Sequence, residues 1–274
     1  MFLNDLNIEL SKPLVMGILN VTPDSFHDGG RYLSKERIAE RAKQICNEGA
    51  SFIDIGAYST RPGAEDISVE EELNRILPAI EIVRQTLDDF PISIDTFRSK
   101  VVKTIVQNFG NVIVNDISAG ELDVDMPHLV GELKLPYICM HLRGTPQTMQ
   151  QNTIYQDLVN EILEYFVEKI KAFRKIGIVD LVSDPGFGFS KTVDQNFELL
   201  NKLEYLKLLG VPMLVGLSRK SMIWKTLKIE PSQALNGTTA LNMIALQKGA
   251  SILRVHDVKE AVETITLYNK LGLN

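Results

Sequence analysis

The sequence is poor in cysteine, and this scarcity excludes two kinds of architecture. Among the 274 residues only Cys46 and Cys139 are cysteines. Two cysteines so far apart in the chain supply neither a disulfide framework nor a cysteine-based zinc site. We therefore expect both to be small buried apolar side chains.

The sequence also lacks long apolar runs. No stretch approaches the roughly 18 uninterrupted apolar residues that a membrane-spanning helix needs. The first residues, MFLNDLNIELSKP, contain no basic segment followed by an apolar core, which a secretion signal would have. We therefore expect a cytoplasmic protein without a membrane partner.

Excess positive charge and paired histidines are missing as well. The 29 Lys and Arg residues are outnumbered by 35 Asp and Glu residues, which gives a net charge of −6. A nucleic-acid groove needs the opposite balance, so no nucleic-acid partner is expected, although a local basic pocket is compatible with the count. The 4 histidines show no HxH or HExxH spacing, which argues against a histidine-based metal centre.

What the sequence does have is a regular alternation of short β-branched runs and longer segments of helical period, which favours parallel βα units. The strand candidates are 14–20, 52–56, 92–95, 112–115, 136–140, 180–184, 212–216 and 251–254. Eight such units in about 250 residues match a closed barrel, whereas a doubly wound open sheet uses the same alternation. We predict a single (β/α)8 TIM-barrel domain over residues 1–274.

Helix signals lie between the strand candidates. Residues 155–176 have one apolar face, and Gly177 follows as a stop. Two pairs have the spacing of a capping box, namely Ser68 with Glu71 and Thr192 with Gln195. Pro78 is expected to break or restart the helical stretch 70–89.

Polar residues stand at nearly every predicted strand end. They are Asn20, Asp54, Asp95, Asn115, His141, Asp184, Ser218, Arg254 and, just beyond the last strand, His256. On a barrel the carboxyl ends of the strands meet at one mouth, so we expect a shared pocket. Carboxylates and an amide suit a flat nitrogen-rich ring, and cationic groups such as Lys220 suit phosphate oxygens. The expected ligand therefore combines such a ring with an anionic tail.

Other interpretations of these residues remain open at the level of sequence. Asp95 is also suited to cap a helix beginning near Arg98, Arg254 to pair with a surface carboxylate, and His256 to cap the last helix. The loops 20–32 and 56–66 are rich in Gly, Pro, Ser, Thr and Asp, which is typical of lids and equally of ordinary turns.

Seven segments carry a resemblance to a known family. They are MGILNVTPDSF (16–26), STRPGAE (59–65), IDTFRS (94–99), VNDIS (114–118), DPGFGF (184–189), GLSRKS (216–221) and LRVHDV (253–258). In this order and spacing they resemble the dihydropteroate synthases. The resemblance implies a TIM barrel that joins (7,8-dihydropterin-6-yl)methyl diphosphate to 4-aminobenzoate, with Mg²⁺ as cofactor and a homodimer as assembly.

The resemblance also implies roles for individual residues. The pterin-contacting set is Asp95, Asn115, Asp184 and Lys220. The diphosphate set is Thr60, Arg61, Arg254 and His256, with Asn20 as the metal ligand and Asp24 as a second partner of Mg²⁺. The aminobenzoate set is Phe26, Pro62 and Ser221. Asp95, Asp184, Lys220 and Asp24 are the candidate catalytic residues.

The chain departs from the family pattern at two positions. Tyr58 replaces the carboxylate of a more usual GGESTRPG segment, and Ser190 replaces a glycine of DPGFGFGK. Neither position belongs to the implied pterin-contacting set.

Three rival functions remain on the same barrel. One is a pterin-dependent methyltransferase acting on a corrinoid protein, which would have no diphosphate to hold. The second is a lyase with Lys220 as a Schiff-base amine. The third is a barrel that binds pterins without turnover.

Overall fold

The computed structural model describes residues 2–3, 8–9, 11–22, 35–60 and 65–272. Eight parallel strands form one sheet. They are β3 (Leu14–Asn20), β4 (Phe52–Gly56), β5 (Ile92–Asp95), β6 (Ile113–Asp116), β7 (Tyr137–Met140), β8 (Leu181–Asp184), β9 (Leu214–Val215) and β10 (Ile252–Val255). Their order in the sheet is β8-β7-β6-β5-β4-β3-β10-β9. The first and last residues of each strand lie within two positions of those predicted from the sequence.

The two outer strands of this order join and close the sheet. Ser183 in β8 forms a parallel bridge with Met213, directly before β9. The backbone N–H of Ser183 donates to the carbonyl of Pro212 at 2.9 Å. The predicted (β/α)8 barrel is therefore confirmed, and the alternative of an open doubly wound sheet is wrong.

An antiparallel pair of short strands precedes the barrel, β1 (Phe2–Leu3) and β2 (Ile8–Glu9). The sequence analysis did not predict this pair, because two-residue strands leave no measurable alternation. They are not part of the barrel sheet.

Helices surround the barrel, because the strands present buried aliphatic side chains outward as well as inward. They are α1 (Lys35–Asn47), α2 (Val69–Leu87), α3 (Ser99–Phe109), α4 (Asp125–Leu133), α5 (Leu158–Lys175), α6 (Val193–Asn201), α7 (Ser221–Leu227), α8 (Leu235–Gln247) and α9 (Val258–Lys270). Among the described residues, no helix is long and apolar enough to cross a membrane.

The predicted helix signals have mixed outcomes. Thr192 and Gln195 form the complete capping box of α6, whereas at α2 the Ser68 side chain accepts from Glu71 N but the Glu71 carboxylate pairs with Arg75. The break at Pro78 is wrong, because α2 runs through it without interruption. Proline removes one helical hydrogen bond, but the buried stripe of Ile76, Ala79, Ile80 and Val83 keeps the helix packed on the barrel.

The barrel interior has an apolar layer with a polar layer above it. The apolar layer is Met16, Phe52, Ile113, Ile138, Val182, Leu214 and Ile252. Side chains two residues apart in a strand point to the same face. The inward positions two residues further along β4, β6, β8 and β10 are Asp54, Asn115, Asp184 and Arg254. The apolar layer thus closes the bottom of a polar mouth.

Candidate functional site

Arg254 is the centre of the polar layer. Its Nε donates to Asp54 Oδ2 at 2.7 Å, and its terminal Nη2 donates to Asp95 Oδ2 at 2.7 Å. Asp54 is completely buried, whereas Asp95 keeps 16% of its side chain exposed. One guanidinium therefore ties β10 to β4 and β5 and neutralises charge at the barrel mouth.

The pKa values of Asp95 and Arg254 are shifted by burial and by the attraction between opposite charges. Burial raises the pKa of Asp95 to about 7, although the charge of Arg254 acts in the opposite direction. Burial lowers the pKa of Arg254, but the charges of Asp54 and Asp95 outweigh it and the net shift is upward. Arg254 is therefore always a cation, while Asp95 is poised to titrate near neutral pH.

Asn115 extends the same network on β6. Its side-chain amide donates to the two Asp54 carboxylate oxygens at 3.1 and 3.3 Å. This orients the amide so that its Oδ1 points away from Asp54 and is available as an acceptor. Asp54 thus holds both Arg254 and Asn115 in place, and it is itself out of contact with solvent.

Asp184 and Lys220 lie on the opposite side of the mouth. Asp184 Oδ1 accepts from the backbone N–H of Gly186 at 2.8 Å. Lys220 Nζ donates to the Phe187 carbonyl and lies 4.4 Å from the Phe189 ring centroid. Both side chains are therefore fixed by the loop that follows β8.

Charges couple this side to the Arg254 side. Burial raises the pKa of Asp184, while Lys220 and Arg254 both oppose that shift. Burial lowers the pKa of Lys220 to about 8, while Asp184 and Asp95 oppose that shift. The charges of Asp95, Asp184, Lys220 and Arg254 thus act on one another, and Asn115 joins them through Asp54, so the five residues meet at one mouth as the sequence analysis expected.

Apolar side chains form a wall beside these charges. This wall comprises the buried Ile117, Met140, Leu142 and Met149 with the partly buried Phe97 and Phe189. An aromatic and thioether wall next to polar side chains suits a flat ring, because the ring faces pack on the wall while the ring edge meets the polar groups.

His256 lies next to the mouth and is held by Ser218. Its Nδ1 is 3.0 Å from Ser218 Oγ, which also accepts from the backbone N–H of His256 at 3.2 Å. Burial, with the charges of Arg254 and Arg219, lowers the pKa of His256 to about 4. We therefore assign a neutral ring that takes the Ser218 proton at Nδ1 and presents Nε2–H as a donor.

Some of the other predicted site residues lie within the described part of the chain and some do not. Asn20 ends β3, and a Cβ added at Gly56 would lie 3.4 Å from both Asn20 Oδ1 and Asp95 Oδ2, so Asn20 adjoins the mouth. Thr60 is half-buried in the loop after β4, and Ser221 begins α7 directly after Lys220. The predicted residues Asp24, Phe26, Arg61 and Pro62 lie outside the described residues, as do 23–32 of the first predicted lid loop and 61–64 of the second.

Three alternative interpretations of site residues are wrong. The N-cap of α3 is Arg98, without a side-chain cap, while the Asp95 carboxylate is bound to Arg254. Arg254 pairs with buried or nearly buried carboxylates instead of a surface carboxylate. His256 does not cap α9, whose N-cap is Asp257.

His141 does not join the mouth, although it follows β7 as expected. It is buried, its Nδ1 is 3.2 Å from Lys191 Nζ, and its ring packs edge-on against Tyr165 at 4.9 Å between centroids. The sequence analysis assigned no role to Asp54 or Lys191. For Asp54 a signal was present, since a carboxylate inside the apolar run FIDIG must find a buried partner.

Tyr58 and Ser190, which depart from the family pattern, both have defined contacts. Tyr58 donates to Asp66 Oδ1 and accepts from Gln147 Nε2, each at 3.0 Å, and its ring meets Phe97 edge-on. Ser190 has φ +46°, and its Oγ accepts from the backbone N–H of Arg143 at 3.1 Å. The two substitutions therefore connect loops around the mouth.

Comparisons with known proteins agree with this geometry. The family described as pterin binding enzyme matches residues 16–256. The chain is 43% identical to the dihydropteroate synthase of Escherichia coli over 271 residues, covering 97% of this chain and 94% of that protein.

Two solved structures are similar over nearly their whole length. The Yersinia pestis dihydropteroate synthase with a sulfonamide drug complex has a TM-score of 0.92 and 38% identity, covering 100% of this chain and 99% of that one. The Xanthomonas albilineans dihydropteroate synthase with 4-aminobenzoic acid has a TM-score of 0.88 and 39% identity, covering 96% and 94%. The chain therefore belongs to the pterin binding enzymes, and among them to the dihydropteroate synthases.

Proposed function

We propose that this chain joins (7,8-dihydropterin-6-yl)methyl diphosphate to 4-aminobenzoate and releases diphosphate and 7,8-dihydropteroate in folate biosynthesis. The observation that carries the proposal is the mouth itself, where Arg254 bridges two carboxylates and the apolar wall stands beside them. The Xanthomonas albilineans relative with 4-aminobenzoic acid supports the identity of the second substrate.

The ring-binding part of the site uses the floor of the mouth. Asp184 is positioned to accept ring N–H groups, and the Asn115 amide oxygen faces away from Asp54 and provides another acceptor. Lys220 provides a donor for a ring carbonyl or nitrogen. These contacts fix the ring so that its exocyclic methylene faces the mouth opening, where the amine arrives.

Bond breaking follows from the electronics of the pterin. Departure of diphosphate from the methylene leaves positive charge delocalised over the electron-rich ring, and the ionised carboxylates Asp95 and Asp184 stabilise that charge. Arg254 and the Nε2–H of His256 are placed to meet the leaving oxygens. The amine nitrogen of 4-aminobenzoate then forms the new C–N bond and loses one proton.

We propose Mg²⁺ as the cofactor, with Asn20 as its protein ligand. Mg²⁺ prefers one or two protein oxygens together with phosphate oxygens and water, and Asn20 offers an amide oxygen beside Asp95. When bound, the ion would neutralise charge on the diphosphate. Within the described residues, no three His, Cys, Asp or Glu side chains cluster as a self-sufficient metal site, and we propose Asp24 as a second partner.

We further propose a homodimer formed through α7 and α8. Helix α8 turns the polar Thr238 and Asn242 inward, while Ile244 on its outer side is 37% exposed. Leu227 on α7 is 51% exposed and lies beside Gly237 near the start of α8. A second copy would cover such a face. Sedimentation of Ile244→Glu should show monomers if this face is the interface.

The single domain over residues 1–274 and the cytoplasmic location remain predictions.

The decisive experiment incubates the purified protein with the pterin diphosphate, 4-aminobenzoate and Mg²⁺ and detects dihydropteroate by mass. Chelation should stop the reaction and added Mg²⁺ should restore it. A Lys220 adduct trapped by borohydride, corrinoid-dependent methyl transfer, or tight pterin binding without diphosphate release would each contradict the proposal.

A further inference from the structure

Lys191 is a buried lysine directly behind the loop that follows β8, and burial lowers its pKa to about 7. Its side-chain Nζ donates to the carbonyls of Gly186 at 3.0 Å and Phe189 at 3.1 Å, and it lies 3.2 Å from His141 Nδ1. An ammonium has three donors, and these three acceptors match them. Among the described residues, no carboxylate lies within ion-pair distance of Lys191.

The imidazole of His141 is suited to accept from this ammonium. Burial, with the charges of Lys191 and Arg143, lowers the pKa of His141 to about 2. The ring is therefore neutral, and Nδ1 serves as an acceptor toward Lys191. Edge-on packing against Tyr165 holds the ring in position.

The same loop holds Lys220 on its other side. The Phe187 carbonyl accepts from Lys220 Nζ, and the Phe189 ring lies against that ammonium. A Cβ added at Gly188, which has φ +80°, would lie 2.9 Å from Lys220 Cδ. Carbonyls of neighbouring residues in one loop therefore bind two different lysines.

The loop also fixes Asp184. Gly186 donates its N–H to Asp184 Oδ1 at 2.8 Å, while its carbonyl accepts from Lys191. Gly186 has φ +72°, and a Cβ there would lie 2.2 Å from the His141 carbonyl oxygen. The peptide groups of Gly186 thus connect Lys191 directly to a carboxylate of the mouth.

We propose that Lys191 is a positioning residue that holds residues 186–189 in the conformation that orients Asp184 and Lys220 for pterin binding. This inference rests on the proposed function, since Asp184 and Lys220 are its pterin-binding residues. Lys191 itself does not touch the substrate, because the loop lies between it and Lys220.

The test replaces Lys191 by Met, which is similar in length but has no donors. We expect kcat/KM for the pterin diphosphate to fall by about 10²-fold, the loss that ~1 Å misplacement of binding groups produces. Affinity for 6-hydroxymethylpterin should fall, whereas affinity for inorganic diphosphate should change little. The matched control is Lys169→Met, because Lys169 also donates to a carbonyl, that of Ala119, but lies outside the mouth.

A second measurement separates positioning from general stabilisation. The pKa of Lys220 is lowered to about 8 by burial. Loosening of the loop exposes Lys220 to water and so raises that pKa, and the alkaline limb of kcat/KM should therefore move to higher pH in Lys191→Met and stay in place in Lys169→Met.

Wild-type pterin affinity and an unmoved alkaline limb in Lys191→Met would overturn the inference, even with a lower unfolding midpoint. If that variant does not fold, Lys191→Leu, which also has no donors, is measured under the same criteria. Failure of the proposed function is a separate outcome, because then the wild-type protein makes no dihydropteroate.

Discussion

Asp54 and Arg254 are 200 residues apart in sequence, and their side chains meet at 2.7 Å inside the barrel mouth. Asp54 is not exposed to solvent, so it acts on the site through the two side chains it binds, Arg254 and Asn115. Its carboxylate therefore sets the orientation of a cation and an amide that do face the mouth.

Asp54→Asn is expected to lower the free energy of unfolding by about 3 kcal/mol. This is the lower end of the range for breaking a buried ion pair, because Asp95 still neutralises Arg254 in the variant. Urea unfolding measures it. The matched control is Glu198→Gln, which removes the exposed pair with Lys202 and should cost no more than about 1 kcal/mol. Equal losses in both variants would contradict the buried role of Asp54.

The pH dependence of kcat/KM for the pterin substrate should be a narrow bell. The rate rises as Asp95 ionises near its pKa of about 7 and falls as Lys220 loses its proton near about 8. Asp95→Asn should lower turnover and abolish the acid limb, and Lys220→Arg should abolish the alkaline limb, because arginine stays protonated. An acid limb that survives in Asp95→Asn would refute the assignment.

Arg254→Ala should reduce both binding of the pterin diphosphate and the rate of its cleavage, since the guanidinium balances the charge of Asp95 and we propose that it also meets the leaving group. Arg254→Lys should recover little, because a single ammonium cannot reproduce the two-sided contact with Asp54 and Asp95. Steady-state kinetics with each substrate varied in turn provides the check. An effect confined to the KM for 4-aminobenzoate speaks against this role.

Ser190→Gly should leave stability almost unchanged. Glycine relieves the left-handed φ of +46°, worth about 1 kcal/mol, but loses the bond from Arg143 N–H, worth a similar amount. Ser190→Ala keeps the strain and loses the bond, so it should be less stable by about 1–2 kcal/mol. Thermal unfolding compares both variants with the wild type. A Ser190→Ala variant at least as stable as Ser190→Gly would show that the left-handed φ carries no strain, and one as stable as the wild type would show that the Oγ contact contributes nothing.

Tyr58→Phe should be less stable by about 1 kcal/mol, because it loses the hydroxyl that joins Asp66 to Gln147. The ring contact with Phe97 is retained, so packing alone does not change. Tyr205→Phe is the matched control, since Tyr205 is 55% exposed. Identical melting temperatures in wild type and Tyr58→Phe would show that the hydroxyl contacts are not stabilising.

The sequence was sufficient to predict the barrel because its strands are short apolar runs at regular spacing. It was not sufficient for Pro78, because packing of the apolar stripe of α2 outweighs the local preference of proline, and such packing is a tertiary effect. The meeting of Asp95, Asn115 and Arg254 was predictable once the strands were known to be parallel. Alternate residues of each strand point into the barrel, and all three occupy such inward positions near the carboxyl ends of their strands.

The sequence placed Asp54 at the mouth and indicated that it needs a buried partner, but it did not identify the partners of Asp54 or of Lys191. Asp54 binds Arg254 and Asn115, which are remote in the chain. Lys191 binds backbone carbonyls of its own loop together with the remote His141, and neither set of partners is visible in the sequence. His141 shows the converse case, since its position after a strand predicted a place in the mouth, whereas its ring turns toward Lys191.

The position of β10 between β3 and β9 has a consequence for synthesis of the protein on the ribosome. Until residue 254 has left the exit tunnel, the carboxylates of Asp54 and Asp95 have no guanidinium to neutralise them. We therefore expect the sheet to stay open, with these carboxylates not neutralised, until β10 inserts beside β3. Substrate affinity should appear only after that step of folding.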